Sequence, residues 1–293
     1  MSSVERLITT PDGRHLRVEE AGDPSGSPVL TLHGTPGAGR LYGPHITDAE
    51  NRRIRLIGYD RPGYGRSTPQ PGRSVADCAA DVRAVAAALS IDRLAVWGIS
   101  GGAPHALACA ALLPDLVVAV GSLAALAPYG APRLDYFTGM GEDNVNDIKL
   151  MLEDEPAARV KLVADREQML SLNAEAMERA FPSLVSAVDA AAFTPELAEY
   201  LFACTRDGLA PGGEGWWDDS MAALKPWGFE LGTIRVPVQL WHGLHDRFVP
   251  FQHGEWLAGT IPGVDARLSA DDGHITLLQR RIGEVHAWLL DRF

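Results

Sequence analysis

Three residues of this 293-residue chain have the types and order needed for nucleophilic acyl transfer: Ser100, Asp246 and His274. Ser100 lies in Gly98-Ile99-Ser100-Gly101-Gly102, a G-x-S-x-G pentapeptide between an apolar run and a small-residue helix. That context suits a serine carried on a sharp strand-to-helix turn, where neighbouring side chains must be absent. A serine hydroxyl is a poor nucleophile at neutral pH and needs a base held by a third group. Asp246, in Trp241-His242-Gly243-Leu244-His245-Asp246, and His274, in Asp271-Asp272-Gly273-His274, follow in the order serine, acid, histidine. Acyl transfer also builds an oxyanion, which calls for preorganised N–H donors. His33-Gly34-Thr35-Pro36-Gly37 offers a loop for this, and the expected donors are the backbone N–H groups of Thr35 and Gly101. His33 is expected to brace the loop. It joins Trp216 and Trp217 as a candidate substrate contact.

The remaining histidines compete less well. His105 is five residues past Ser100 on the same helix and is expected to pack elsewhere. His242 and His245 sit in the acid loop, while His253 and His286 read as helix residues. Asp271 and Asp272 precede the histidine and are expected to shape its loop. Asp60 to Ser67 is glycine-rich but lacks the spacing and lysine of a phosphate-binding loop, so it reads as a structural turn beside the site.

The elements around these residues alternate. A hairpin is expected from Arg6–Thr9 and His15–Val18 across Pro11-Asp12-Gly13. Strands then follow at Val29–Leu32, Ile54–Tyr59, Leu94–Trp97 and Val117–Leu123, separated by helices at Val75–Leu89 and Ser100–Leu112. This is the pattern of a parallel sheet with crossover helices, whose ligands sit beyond the carboxyl ends of the strands. From residue 131 to residue 230 the strand signal vanishes. Helices are expected there, including Pro156–Ala180 and one opened by Thr194-Pro195-Glu196 and stopped at Gly208. A Gly-rich break at 208–215 precedes Trp216 and Trp217, and Met140, Phe137 and Tyr129 are weaker candidates for the same pocket. Strands return at Val236–Trp241 and Ala266–Leu268, and an amphipathic helix is expected over Ile275–Leu290. The organisation is a core of residues 1–130 and 231–293 with a helical insertion at 131–230.

Composition narrows the function classes. Hydrophobic residues are 46% and charged residues 22%, which excludes wholesale disorder. The formal net charge of −12 argues against nucleic-acid binding. The insertion holds 19 acidic and 8 basic residues, a net of −11, so nearly all of the charge belongs to it. A solvated helical face is the ordinary meaning of such a charge; a field favouring cationic substrates is the sharper one. Cys78, Cys109 and Cys204 are far apart with no metal-ligand spacing, and read as buried thiols of a reducing compartment. Neither a signal peptide nor a membrane-spanning run is visible, so the expectation is a soluble cytoplasmic protein, monomeric or homodimeric, with a small-molecule substrate.

Taken together, His33-Gly34…Pro36-Gly37, Asp60-x-x-Gly63-x-Gly65-x-Ser67, Gly98-x-Ser100-x-Gly102, Asp246 and Gly273-His274 resemble the α/β-hydrolase superfamily across the whole core. The resemblance implies an α/β fold with an eight-stranded, mostly parallel sheet and a helical cap over the site. It also implies a two-step acyl-enzyme mechanism with no cofactor; the absence of Cys/His ligand spacing speaks for no metal. The HG-x-PG loop is similar to that of proline iminopeptidase-like members, with two departures. Thr35 stands where those enzymes usually have glycine, and Gly101 stands where they usually have tryptophan. Epoxide hydrolases and haloalkane dehalogenases carry aspartate at the position of Ser100 and are disfavoured. The leading expectation is a serine hydrolase of a small ester, lactone or amide. Alternatives are an aminopeptidase, a C–C hydrolase, lyase or perhydrolase on the same triad, and a non-catalytic small-molecule receptor.

Overall fold

Eight strands form one sheet in the computed structural model, which describes residues 3–179 and 182–293. They are β1 (Val4–Thr9), β2 (His15–Gly22), β3 (Ser27–Leu32), β4 (Ile54–Tyr59), β5 (Leu94–Ile99), β6 (Val117–Leu123), β7 (Val238–Gly243) and β8 (Asp265–Ser269). Their order is β1-β2-β4-β3-β5-β6-β7-β8. β2 runs antiparallel to β1 and β4; every other pairing is parallel. The central strands are aliphatic and covered on both faces, and every residue of β5 and β7 is buried. The edge strands β1 and β8 are largely exposed. The expected hairpin is present, with Gly13 at φ +85° in its turn.

Helices cover both faces. α1 (Gly43–Asn51), α11 (His274–Arg280) and α12 (Ile282–Leu290) pack on one side through Ile46, Leu277 and Val285. α2 (Cys78–Ala88), α3 (Ala103–Leu112) and α10 (Phe251–Thr260) pack on the other through Val82, Leu107 and Leu257. α1 has no counterpart in the sequence reading, because Tyr42 caps it with no side-chain hydrogen bond and it carries neither an acidic first turn nor a basic last turn. The terminal helix starts at His274 and breaks at Arg281, whose guanidinium turns back to Asp272 at 2.7 Å.

Between β6 and β7 the described residues contain helices and no strand: α4 (Glu142–Glu153), α5 (Glu155–Ser171), α6 (Ala174–Arg179), α7 (Ala187–Ala190), α8 (Pro195–Leu209) and α9 (Glu214–Leu224). The long helix expected to Ala180 divides after Ser171, and Ala180 itself lies outside the described residues. Asp154 caps α5 through the Ala157 N–H at 3.0 Å, and Thr194 caps α8 through the Leu197 N–H at 3.2 Å. α8 runs one residue past Gly208. No described helix is long and apolar enough to cross a membrane.

This topology gathers the chemistry at one edge. In the β3–β5 register Leu32 lies beside Gly98, so the loops that leave those strands, His33–Gly37 and Ser100–Gly102, emerge next to each other. The loops after β7 and β8 carry Asp246 and His274 to the same edge of the sheet.

Candidate active site

Ser100 opens a short 3-10 turn, Ser100–Gly102, that leads directly into α3, and its φ is +54°. A serine pays for this left-handed backbone, which lifts its side chain out of the turn. The turn closes only because its flanks are bare. A Cβ on Gly98 would stand 2.4 Å from the Gly102 carbonyl oxygen, and one on Gly102 would stand 2.2 Å from that of Leu32.

The His274 Nδ1–H donates to Asp246 Oδ2 at 2.7 Å, and both residues are buried. Asp246 is fixed in turn by the N–H groups of Phe248 and Val249, at 2.9 and 2.8 Å on Oδ1. The Phe248 ring stacks on the imidazole with centroids 4.5 Å apart. Burial opposes a charged imidazole, but the Asp246 charge, its hydrogen bond and the more distant Asp189 together raise His274 above its ordinary value of 6.5. With Nδ1 committed to Asp246, Nε2 is the nitrogen left to exchange protons.

Thr35 and Gly101 lie against each other. A Cβ on Gly101 would come within 2.2 Å of Thr35 Oγ1, 2.7 Å of its Cβ and 3.2 Å of its N. The Thr35 amide thus lies close against Gly101, the residue that follows Ser100. No described residue accepts from the Thr35 N–H, and the Gly101 N–H belongs to the first turn of a helix, where intrahelical acceptors are missing.

A buried ion cluster holds this loop. The Thr35 hydroxyl donates to Asp219 Oδ2 at 2.8 Å. Arg61 donates to the same oxygen at 2.6 and 3.1 Å, to Thr35 Oγ1 at 3.0 Å, and to the His33 carbonyl oxygen. Arg73 donates to Asp219 Oδ1 at 2.6 Å. All three charged side chains are at most 2% exposed. Burial alone would raise the Asp219 carboxyl; Arg61 and Arg73 outweigh it and hold Asp219 well below the ordinary carboxylate range. Asp219 belongs to α9, so the helical insertion anchors the loop that bears Thr35.

Ser100, Gly101, Thr35, Phe248 and Ile275 line a cavity of about 500 Å³. Apolar side chains form much of its wall, among them Met140, Ile148, Met169, Phe193, Leu201 and Trp216. Asp143, Asp147 and Asp165 line it too, with Lys161 held between Asp147 and Asp165 at 2.8 and 2.6 Å.

Two expected substrate contacts are corrected. His33 is buried away from the cavity: its Nδ1–H donates to the Gly34 carbonyl oxygen at 2.8 Å, and Nε2 accepts from the Arg61 N–H at 3.1 Å. It braces the loop and nothing else. Trp217 faces the interior of the insertion against Ala158 and Leu162, with the Arg159 guanidinium 4.0 Å above its ring. On a helix, consecutive residues point to different sides, so Trp216 reaches the cavity and Trp217 does not. Of the weaker candidates Met140 lines the cavity, whereas Phe137 and Tyr129 do not and instead meet the ring of Tyr136, itself a wall residue, edge to face. His105 is packed, with Nδ1 on the Gly101 carbonyl oxygen at 2.8 Å, and also forms part of the wall; burial and Arg61 push it down to about 4. The three cysteines are free and buried. Arg61, Asp189, Asp219 and Phe248 are not marked by the sequence, since an isolated charge or ring in a loop or helix carries no local sign of its partner.

A family model described as alpha/beta hydrolase fold matches residues 27–280. An AB hydrolase superfamily protein, YisY of Bacillus subtilis, is 28% identical over 277 residues, 91% of each chain. A proline iminopeptidase of Xylella fastidiosa is 35% identical over 115 residues, which cover 37% of this chain and 36% of that one. Among solved structures, an esterase from Exiguobacterium antarcticum superposes with a TM-score of 0.70 at 21% identity, over 98% of this chain and 100% of that one.

Proposed function

The chain belongs to the α/β-hydrolase family, and from that premise we propose that it is a serine hydrolase of a small-molecule ester, lactone or amide, acting through an acyl-enzyme. The observation that supports the reading is a serine at φ +54° that lines one cavity with Thr35 and Gly101, while Phe248 and Ile275 of the same wall adjoin a 2.7 Å histidine–aspartate pair, the ring of Phe248 stacking on that histidine. Ser100 Oγ attacks the carbonyl carbon while His274 Nε2 takes its proton. Asp246 keeps the proton on Nδ1 and stabilises the imidazolium that forms. The oxyanion sits between the Thr35 and Gly101 N–H groups. His274 returns the proton to the leaving group, then activates water to release the acid.

A cavity of about 500 Å³ with much apolar wall fits a small to medium apolar acyl or alkoxy group. The test is covalent capture by a fluorophosphonate probe. Labelling at one site, abolished in Ser100→Ala together with turnover of p-nitrophenyl esters, is the expected result. Labelling or turnover that persists in Ser100→Ala would overturn the assignment.

A second reading, release of an N-terminal residue, draws on the local likeness to a proline iminopeptidase and on Asp143, Asp147 and Asp165 in the cavity wall, which could pair with an amine. A panel of aminoacyl anilides separates the two. Turnover of esters without any of the anilides removes the peptidase reading.

A further inference from the structure

α11 begins at His274, and the residue before it, Gly273, has no side chain with which to cap the helix. The cap comes from 85 positions earlier. Asp189, in the short turn α7 of the insertion, is fully buried. Its Oδ2 accepts from the His274 N–H at 3.0 Å, and Oδ1 accepts from the N–H groups of Ile275 and Thr276 at 2.8 and 3.0 Å. Ser186 Oγ donates to Oδ2 at 3.0 Å and accepts from the Asp189 N–H at 3.2 Å, so the carboxylate is itself held. The fit leaves no slack: a Cβ on Gly273 would stand 2.4 Å from Oδ2. Among the described residues no lysine, arginine or histidine pairs with Asp189.

A buried carboxylate without a cation is costly unless something else compensates it. Three N–H groups and the positive end of α11 do so here. The compensation has a consequence for the residue at that helix end. Unopposed, the helix terminus would disfavour a positive imidazole at His274, which is the state the base must reach in each turnover.

We propose that Asp189 is a positioning residue for His274, fixing the first turn of α11 and cancelling the helix-end charge beside the imidazole. The other charged and titratable groups near His274 are accounted for. Asp246 binds Nδ1, and His242 donates to the Val249 carbonyl oxygen at 2.8 Å. Asp272 binds Arg281 and Ser269; Glu284 binds Arg281; His286 binds Asp48. Asp189 is thus a second carboxylate acting on the base, supplied by the insertion and not by the core.

The proposal rests on the reading of His274 as the base, so its test uses a readout that does not need turnover. The His274 titration is followed by NMR in the wild type, Asp189→Asn and Asp189→Ala, alongside the acid limb of kcat/KM and the melting temperature. Asparagine keeps a side-chain oxygen at the same reach as the carboxylate but carries no charge, whereas alanine removes the cap altogether. The expected result is a His274 pKa lower by about half to one unit in both variants, with the acid limb moving by the same amount. Turnover should fall roughly 10-fold. Asp189→Asn should regain stability relative to Asp189→Ala without regaining the pKa. An unchanged His274 pKa in a folded Asp189→Asn would overturn the proposal, whatever the stability. If Asp189 variants do not fold, Ser186→Ala loosens the same carboxylate while keeping its charge, and must then broaden or shift the His274 titration. A shifted pKa with no loss of activity in His274→Ala would instead refute the reading of His274 as base.

Discussion

Replacing Gly101 by alanine tests how the proposed oxyanion loop is built. The new Cβ would stand 2.2 Å from Thr35 Oγ1, 2.7 Å from Thr35 Cβ and 3.2 Å from Thr35 N. Rotating the threonine hydroxyl away cannot relieve this. It would break the hydrogen bonds to Asp219 and Arg61, and the Cβ–Cβ approach would remain about 1 Å inside ordinary contact. The Thr35 backbone must therefore move, taking its N–H with it. Overpacking of this kind costs about 1–3 kcal/mol. With an unfolding entropy of about 0.6 kcal/mol/K for a chain of this length, that is roughly 2–5 °C in Tm. Misplacing one oxyanion donor costs roughly 10²–10³-fold in kcat. Gly101→Ala is thus expected to lose roughly 10²–10³-fold in kcat/KM on a p-nitrophenyl ester while remaining folded by circular dichroism. The informative variant is the double, Thr35→Gly with Gly101→Ala. It removes both atoms that clash most and should be at least 10-fold more active than Gly101→Ala alone. The two departures from the iminopeptidase pattern then become one: a larger residue at 35 requires the smallest at 101. The reasoning is refuted if Gly101→Ala keeps more than about a third of wild-type kcat/KM, or if the double variant is no better than the single.

Asp219→Asn leaves Arg61 and Arg73 buried without their shared countercharge, and should cost about 3–5 kcal/mol, or roughly 5–8 °C in Tm by differential scanning calorimetry. A drop under about 2 °C would show that the cluster is not under electrostatic load. Stability should fall steeply with acid: burial holds His45 down to about 3, and His105 and His253 to about 4, so between pH 6.5 and 4 the unfolded chain binds protons that the native chain refuses. His274, Asp60 and Asp81, all raised, work the other way, leaving a net loss of about 2–4 kcal/mol per pH unit below pH 6; a urea midpoint that is flat or rises from pH 7 to pH 5 would refute it. Cationic esters should be preferred over matched anionic ones only several-fold in kcat/KM, with the preference shrinking at 0.5 M salt; equal rates at low salt would remove the acidic-wall effect.

What the sequence made legible was what chain-local rules encode. Gly98-x-Ser100-x-Gly102 dictates a strained turn because only bare neighbours let it close, and the short aliphatic runs dictate strands covered on both faces. What it hid were contacts whose two halves look ordinary apart. Asp189 reads as one acidic residue in a helical tract until it is seen under the N–H groups of α11, and Asp219 reads as the second of two aspartates until Arg61 and Thr35 close on it. Trp216 and Trp217 could not be told apart before the face of α9 was known. The same blindness affects the charge of the insertion. Its net of −11 reads as an outward field over the cavity, yet Asp189 is spent on a helix end, Asp219 on two guanidinium groups, and Asp147 and Asp165 on Lys161. Of the four carboxylates in the cavity wall, Asp143, Asp147, Asp165 and Asp219, Asp143 alone has no basic partner within the described residues, its oxygen being taken by the Ser183 hydroxyl. The field felt by a substrate is therefore far smaller than the residue count implies, and the acids matter more for what they hold in place than for what they attract. On this view, neutralising exposed acids of α5, such as Glu155 and Glu167, should leave kcat/KM for a neutral ester within about twofold, whereas neutralising Asp189 or Asp219 should not.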